Sequence, residues 1–331
     1  MCIAITMGDS SGVGPEIILQ AFANGELPAD FIVVGDFSIL EHCNEKLSYG
    51  VAINKISTVD ERAANVLNVL DLNLLAVDDL RIGEISQASG AAALQYVKIA
   101  TELALAKKVS AVVTLPINKE ATRLTAPNFS GHTEYIAELC GEENYTMMLV
   151  SERLIVTHVS THISLRRALD EVTTKKVLDI IRLTNSALAK LRSRQKIAVA
   201  GLNPHAGENG SFGSEDIEFI KPAVEIARAE GIDANGPFPP DTIFFQTVKG
   251  KAFDAIVCMY HDQGHIPMKL LDFEGGINVT LGLPIIRTSV DHGTAFDIAW
   301  QGKAFTRSLK EAAELALKLA QGEYDSISKS F

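Results

Sequence analysis

Short apolar runs alternate with longer amphipathic stretches along most of the chain. The short runs have the length and β-branched content of buried strands, and they predict strands at "CIAIT", "FIVVG", "VLNVLD", "SAVVTL", "RLIVTHV", "KIAVAGL", "DAIVCMY" and "INVTLG". Amphipathic stretches predict helices over residues 15–23, 90–107, 133–140, 173–191, 215–230 and 308–321. Strands that alternate with helices are typical of an α/β fold with largely parallel sheets.

The composition is that of an ordinary globular protein. Its 331 residues exceed a typical single domain, which favours two domains. Asp and Glu outnumber Lys and Arg by 41 to 30, so the formal charge is −11. An acidic chain with no basic run and no long apolar stretch is a poor candidate for nucleic-acid or membrane binding. The four scattered cysteines include no C-x-x-C pair, which argues against a zinc ribbon and fits a reducing, cytoplasmic location.

Three of the eight histidines follow predicted strands at equivalent points. His162 lies in "STHISLRR" after "RLIVTHV", His205 in "NPHAGENGSFG" after "KIAVAGL", and His261 in "HDQGHIP" after "DAIVCMY". Ligands of open α/β sheets gather at the carboxyl ends of strands, and three imidazoles with one open position form a catalytic metal site. Each histidine could equally be a satisfied structural residue, and the spacing alone does not decide between the two.

The four-residue spacing of His261 and His265 suits two side chains on one helix face. Gly264 and Pro267 disfavour a helix through this stretch. We therefore expect a loop to begin at His261, where the preceding strand ends.

Several segments offer groups for an anionic ligand. His132 and Thr133 in "SGHTEYIAEL" lie at a predicted helix start, where backbone N–H groups can bind an anion, although simple N-capping explains the motif equally well. Arg287 could bind a carboxylate or phosphate, or form a structural ion pair. Lys269 and Asn278 add one cation and one amide. Together these groups suit a small, multiply anionic substrate.

A glycine-rich segment, "MGDSSGVGPEI", follows the first strand and opens a helix. Gly12 and Gly14 permit close approach of the backbone to a ligand, although a tight turn alone would explain them. Neither G-x-G-x-x-G nor G-x-x-x-x-G-K occurs in the chain, so the Rossmann and P-loop fingerprints are absent.

Seven motifs, in order along the chain, resemble the 4-hydroxythreonine-4-phosphate dehydrogenase family of vitamin B6 biosynthesis. They are "GVGPE", "SGHTEY", "STHISLR", "GLNPHAGENG", "PPDT", "YHDQGHIPMK" and "GGINVTLGLPIIRTSVDHGTA". The resemblance implies two α/β/α domains with an interdomain cleft, and a homodimer whose active site takes residues from both subunits. We expect residues 1–126 plus 282–331 to form one domain and residues 127–281 to form the other.

The resemblance also assigns roles to residues. It implies that His162, His205 and His261 bind one divalent metal ion in a site shared between subunits. Zinc suits three imidazoles best, and cobalt, manganese or magnesium could support the chemistry. The substrate contacts of the family correspond to His132, Thr133, Lys269, Asn278 and Arg287.

A wider resemblance concerns the cofactor. "GDSSGVGPE" and "DHGTAFDIAW" are similar to nucleotide-contacting segments of isocitrate and isopropylmalate dehydrogenases, which bind NAD without a Rossmann fingerprint. The implied NAD contacts are Gly12, Gly14, His292, Gly293, Thr294 and Asp297.

The sequence departs from the vitamin B6 enzymes at His265, "GENGSFG" and "FDIAW", towards a branch that acts on phosphorylated sugar acids. This implies NAD-dependent oxidation and decarboxylation of D-threonate or D-erythronate 4-phosphate to dihydroxyacetone phosphate, with 4-phosphohydroxy-L-threonine as the alternative substrate. His265 could donate to a substrate C2 hydroxyl, and its protonated form would repel an ammonium group. Candidates for the base are Asp241, Asp262 and Lys269. A non-redox metal lyase or hydrolase and a non-catalytic metabolite-binding protein are the remaining alternatives.

Overall fold

The computed structural model describes residues 1–272 and 276–322. Two parts of the sequence interpretation lie outside them: Gly275 of the last motif, and residues 323–331 at the end of the first predicted domain. Among the described residues, no helix has the length and apolar character needed to cross a membrane.

The chain divides into two compact units. Unit 1 comprises Met1–Glu143 with Leu283–Ala320, and unit 2 comprises Asn144–Gly282 with, among the described residues, 321–322. The sequence assigns residues 127–143 to the central domain, but in the structure they belong to unit 1. The helix in this segment packs against the long helix Gln87–Leu105 of the same unit, a contact that no hydrophobic pattern specifies.

Unit 1 is built on a parallel sheet. Its strands are β1 (Ile3–Thr6), β2 (Phe31–Gly35), β3 (Ile53–Ile56), β4 (Leu67–Asp71), β5 (Ala111–Thr114) and β12 (Arg287–Val290), and their order is β3-β4-β2-β1-β5-β12. Its helices are α1 (Gly14–Ala23), α2 (Phe37–Leu47), α3 (Gln87–Leu105), α4 (Lys119–Arg123), α5 (His132–Cys140) and α11 (Arg307–Gln321). The central strands are buried at every position, as expected for a parallel sheet covered on both faces.

Unit 2 contains a mixed sheet. Its strands are β6 (Thr146–Val150), β7 (Ile155–His158), β8 (Ile197–Ala200), β9 (Ala234–Phe238), β10 (Ala255–Cys258) and β11 (Ile277–Leu281), in the order β11-β6-β7-β10-β8-β9. Strand β6 is antiparallel to both neighbours, and the remaining pairs are parallel. Its helices are α6 (Leu165–Asp170), α7 (Thr174–Leu191), α8 (Lys221–Ala229), α9 (Pro240–Val248) and α10 (His261–Leu271).

The predicted strands are all present, but the hydrophobic pattern misses β3, β6, β9 and β12. Strands β3 and β9 are outer strands of their units, and β9 contains Pro237, which is tolerated at an edge and weakens the strand signal. Strand β12 begins with Arg287, so it has no apolar run to recognise. Strand β6 is apolar but too short to distinguish from a buried helical turn by periodicity.

The expected loop at His261 is instead the helix α10, so that prediction was wrong. Gly264 lies where α10 meets the sheet: a Cβ there would overlap Nε2 of His158 and lie 3.1 Å from Sγ of Cys258. The Gln263 side chain anchors the first turn, since its Oε1 accepts from the Met259 N–H at 2.7 Å and its Nε2 donates to the Gly201 carbonyl at 2.7 Å. These tertiary contacts outweigh the low helix propensity of glycine and proline.

The contact at Gly264 makes Gly264→Ala a destabilising substitution, although alanine is the better helix former. Helix propensity favours alanine by about 1 kcal/mol, whereas overpacking against a buried, immobile His158 costs roughly 1–3 kcal/mol. Gly293→Ala is the matched control, because no atom lies within 4 Å of a Cβ at that position. Urea unfolding should give a lower free energy of unfolding for Gly264→Ala alone. Equal stability of the two variants would contradict the contact.

Candidate functional site

Unit 1 gathers cationic and hydrogen-bonding groups at the start of α5. Arg287 is 2% exposed, and its guanidinium donates to Oγ1 of Thr114 at 2.6 Å and to Oγ1 of Thr133 at 3.4 Å. Burial lowers the pKa of Arg287 to about 10, and the Glu134 carboxylate opposes that shift, so the side chain stays cationic at neutral pH. A buried cation beside the first turn of a nine-residue helix is suited to an anionic ligand.

His132 contributes to this group as a neutral ring. Burial, followed by the charges of Arg287 and Lys119, lowers its pKa well below the ordinary value, and the ring is hydrogen-bonded to the Leu115 backbone. Its Nε2 is buried and has no hydrogen-bond partner among the described residues. The Leu115 bond therefore involves Nδ1 as the donor, which leaves Nε2 as an acceptor for a ligand hydroxyl.

Lys119 belongs to this group as well, and sequence reasoning missed it. Its Nζ lies 3.7 Å from the position that a Cβ on Gly131 would take, directly before α5. The available signal was its place at the first position of α4, shortly after β5 ends. In an α/β fold, that is where ligand-binding residues occur.

Unit 2 brings two of the predicted metal ligands together. His162 follows β7 and His261 follows β10, and their ring centroids are 5.8 Å apart. Both line a cavity of about 340 Å³ that Leu165, Tyr260 and Asp262 also border. The shared position follows from the parallel pairing of β7 with β10, which brings their carboxyl ends to the same edge of the sheet.

The His261 ring is held in one orientation. Its Nδ1 lies 2.7 Å from Oδ1 of Asp262, so Nδ1–H donates to that carboxylate and Nε2 is the nitrogen left for a ligand. A carboxylate on the far ring nitrogen is the usual support of a metal-binding histidine. The His265 ring stacks on the His261 ring at 3.6 Å with an interplanar angle of 8°. The pair thus presents one defined nitrogen to the cavity.

His265 does not have the protonation state that the sequence argument required. Its Nδ1 lies 3.0 Å from the His261 carbonyl and donates to it, as expected for residues one helical turn apart. Burial, followed by the charge of His261, lowers the pKa of His265 to about 4. The ring is therefore neutral at neutral pH. It cannot repel an ammonium group, and its Nε2 can only accept a hydrogen bond.

His205 lies in an unusual loop after β8. The residues from His205 to Asn209 all have φ between 40° and 77°, a left-handed turn that costs roughly 1 kcal/mol for each non-glycine residue. The Asp216 carboxylate stabilises the entry to this loop by accepting the N–H groups of Leu202 and Asn203 at 2.8 and 3.1 Å. His205 itself is exposed. In the described part of the chain, no three His, Cys, Asp or Glu side chains are grouped to bind one metal ion.

The remaining candidates in unit 2 differ in their surroundings. Lys269 follows His265 by one turn of α10, and its charge is among the causes that lower the pKa of His265, so the two side chains are close. Asn278 on β11 has a buried Oδ1 without a hydrogen-bond partner among the described residues. Asp241 lies exposed in the first turn of α9, and Asp262 is engaged by His261.

The glycine-rich segment and the predicted NAD segment meet within unit 1. A Cβ on Gly12 would lie 2.7 Å from the Thr294 carbonyl oxygen, which also accepts the Val13 N–H at 3.0 Å. A Cβ on Gly14 would overlap the carbonyl oxygen of Met7. Both glycines are therefore required by backbone packing alone. Of the other predicted NAD contacts, His292, Gly293 and Asp297 are exposed.

The fold is that of the dehydrogenases that the sequence resembles. A β-decarboxylating dehydrogenase from Thermococcus kodakarensis is similar with a TM-score of 0.55, covering 97% of this chain and 83% of that one. At 13% identity this likeness concerns the fold alone. The predicted relationship to isocitrate-type folds is confirmed.

Closer similarities define the family. The model of the family described as pyridoxal phosphate biosynthetic protein PdxA matches residues 28–316, and the chain belongs to this family. It is 46% identical to a D-threonate 4-phosphate dehydrogenase of Salmonella typhimurium, over 96% of this chain and 98% of that protein. A solved 4-hydroxythreonine-4-phosphate dehydrogenase from Klebsiella pneumoniae is 45% identical, with a TM-score of 0.87 over 97% of this chain and 99% of that one. Both relatives are dehydrogenases, and this chain is an oxidoreductase of the same family.

The glycine-rich loop also contains a buried acid. The Asp9 carboxylate accepts the Ser11 N–H at 2.9 Å, and its Oδ2 is buried with no hydrogen-bond partner among the described residues. Burial raises the pKa of Asp9 from 3.8 to about 6. The folded protein therefore binds a proton more tightly than the unfolded chain between these pH values.

This shift predicts a pH dependence of stability. Because the folded-state pKa is raised, the contribution of Asp9 is most favourable below the unfolded pKa and is lost as pH rises through about 6. The loss amounts to about 3 kcal/mol. Asp9→Asn should remove this part of the slope of unfolding free energy between pH 4 and pH 7, measured in urea. Asp60→Asn, at an exposed carboxylate of the same unit, should leave the slope unchanged. An unchanged slope in Asp9→Asn would show that another group titrates.

Proposed function

We propose that this protein is an NAD-dependent, divalent-metal-dependent dehydrogenase of a 4-phosphorylated 3-hydroxy acid. The substrate is D-threonate or D-erythronate 4-phosphate, and oxidation at C3 followed by loss of CO₂ gives dihydroxyacetone phosphate. The observation that carries the proposal is the pair His162 and His261, with Asp262 supporting the second ring. The name of the Salmonella typhimurium relative favours this substrate class.

The residues of unit 2 fit a divalent metal ion. The Asp262 carboxylate accepts from Nδ1–H of His261, which leaves Nε2 for a metal ion, and the ring centroid of His162 lies 5.8 Å from that of His261. Zinc suits this donor set best, and cobalt, manganese or magnesium are alternatives. A divalent ion held there would lower the pKa of the substrate hydroxyl and stabilise the negative charge that develops on decarboxylation.

The residues of unit 1 fit the phosphate. Arg287 is a desolvated cation with an oriented guanidinium, and Lys119 adds a second cation beside the N-terminus of α5. The Thr133 hydroxyl can donate to a phosphate oxygen, and Nε2 of the neutral His132 can accept from a substrate hydroxyl. Charge-assisted bonds from a buried arginine are among the strongest that a protein offers to an anion.

Among the three candidates for the base, the surroundings favour Lys269. The Asp262 carboxylate already accepts a hydrogen bond from Nδ1–H of His261, and its task is to orient that ring. Asp241 is exposed. Lys269 shares α10 with His261 and lies close to His265, so its amine stands beside the histidine group. Only the neutral form of Lys269 could take the proton of the C3 hydroxyl, and bound NAD⁺ would accept the hydride.

The position of His205, the third proposed metal ligand, supports a homodimer. His205 is exposed on a strained loop and is not grouped with His162 and His261 within one chain. We therefore infer that His205 of one subunit completes the site of its partner. Helix α10 has a face suited to association: Ile266 and Leu270, one turn apart, are 63% and 86% exposed. Exposed aliphatic pairs of this kind mark protein interfaces.

Subunit complementation tests this arrangement. His205→Ala and His261→Ala homodimers should both be inactive and retain less metal. If mixed and allowed to exchange, they form heterodimers in which one site has all three histidines, so about a quarter of wild-type activity should return. The control mixture is His162→Ala with His261→Ala. Both ligands come from the same chain there, and no activity should return.

Two outcomes would contradict the shared site. One is the absence of recovery in the first mixture despite exchange demonstrated with differently tagged subunits. The other is equal recovery in both mixtures. That result would mean that His162 and His261 of one chain do not serve the same site. Metal content per subunit, measured on each homodimer, separates loss of metal from loss of folding.

A substrate panel tests the substrate. With NAD⁺ and a divalent metal, D-threonate or D-erythronate 4-phosphate should give NADH at 340 nm with a kcat/KM at least about tenfold above that of 4-phosphohydroxy-L-threonine. Preference for the amino substrate would favour the vitamin B6 reaction, which the name of the Klebsiella pneumoniae protein supports as the second candidate. Turnover without NADH would indicate a non-redox lyase or hydrolase instead.

A further inference from the structure

A second cavity of unit 2 lies at the end of the sheet opposite to the histidines. It has a volume of about 420 Å³ and is bordered by Ile155, the first residue of β7, and by Asp254, which directly precedes β10. The histidine cavity borders the other ends of the same two strands. The two cavities are therefore separated by the length of β7 and β10, and neither the metal nor the phosphate residues proposed above border the second one.

The lining of this cavity is cationic in a protein that is acidic overall. Four basic side chains border it: Arg153, Arg192, Arg194 and Lys251. Only two acidic side chains do so, Glu152 and Asp254, which leaves an excess of two positive charges against −11 for the whole chain. Since like charges at close range are unfavourable without counter-ions, such a cluster favours a bound anion.

One of the two carboxylates that border the cavity, that of Asp254, is already hydrogen-bonded within the protein. Asp254 accepts three hydrogen bonds from Arg194, at 2.9, 3.0 and 3.2 Å, and a fourth from the Lys196 backbone N–H at 2.8 Å. No ion pair joins Arg153 or Lys251 to any of the described residues. Arg192 is attracted by the Asp254 carboxylate but has no hydrogen bond to it among the described residues.

Two residues that border the cavity, Arg192 and Thr247, have hydrogen-bond donors that are not fully satisfied by the described residues. Arg192 caps α7 and is half-buried, and within the described part of the chain its guanidinium makes one hydrogen bond, to the Leu191 carbonyl at 3.2 Å. Burial lowers its pKa, as expected for a cation removed from water. Thr247 is 6% exposed, and its hydroxyl has no hydrogen-bond partner among the described residues. Desolvated donors without acceptors are costly unless a ligand supplies them.

We propose that this cavity is a second anion site, which binds a small metabolite carrying phosphate and carboxylate groups. Arg192 and Arg153 would contact the anion, and Thr247 would donate its hydroxyl. The lining disfavours a nucleotide, because the Lys196 ammonium lies over the one aromatic ring of the cavity, Phe253, at 5.1 Å from its centroid. That ring face is not available to stack on a base.

Calorimetry with 2-phosphoglycolate on the full-length, metal-loaded protein tests the proposal. This probe can also occupy the substrate site. The number of equivalents bound and the affinity are therefore compared between each variant and the wild type. Arg153→Gln/Arg192→Gln should bind one fewer equivalent per chain than the wild type, or bind at that site at least about tenfold more weakly. Lys190→Gln removes an exposed cation two residues from Arg192 that does not border the cavity, and it should bind like the wild type.

Arginine footprinting of the unmodified protein locates the ligand independently of any variant. Phenylglyoxal modification, read by mass spectrometry, should slow at Arg192 by about tenfold when the probe is present at ten times its dissociation constant. The proposal is overturned if binding to Arg153→Gln/Arg192→Gln matches the wild type. It is equally overturned if the probe protects Arg287 but leaves Arg192 unprotected. Should the double variant fail to fold, the footprint alone decides.

Discussion

The close contact of α10 with β7 and β10 is the constraint on which the histidine site depends. This contact is possible only because Gly264 has no side chain. The buried His158 ring and the Cys258 thiol can therefore lie against the helix backbone. With the helix seated there, His261 emerges at the carboxyl end of β10 and stacks on His265 one turn later. Since β7 runs parallel to β10, His162 arrives at the same edge.

Burial sets the charge of each group in the two units. Arg287 remains a cation even when almost fully buried, because guanidinium is so strong a base that desolvation still leaves its pKa near 10. Burial shifts the histidines in the same direction with a different result: His132, His158 and His265 all have lowered pKa values and are neutral at neutral pH. Because an imidazole is a much weaker base than a guanidinium, the same desolvation leaves Arg287 charged and these three rings neutral.

Two of the unit 2 histidines, His205 and His261, lie on different kinds of element, a strained loop and a regular helix. The left-handed turn that carries His205 is maintained by the Asp216 carboxylate, which satisfies the backbone at the entry to the loop. His261, by contrast, begins a regular helix whose first turn is anchored by Gln263. His205 thus lies on an exposed, strained loop, whereas His261 lies on a regular helix.

The sequence by itself determined the α/β class, most strands, the family and the identity of the candidate ligands, because these follow from apolar runs and from motifs a few residues long. Only the tertiary structure decided that residues 261–271 are helical, since the Gly264 contact with His158 joins segments distant in sequence. It also assigned Lys119 to the anion group and explained Gly12 and Gly14 by packing against Thr294 and Met7. Local patterns carry propensity and periodicity, whereas burial, protonation and close approach depend on partners that only the fold supplies.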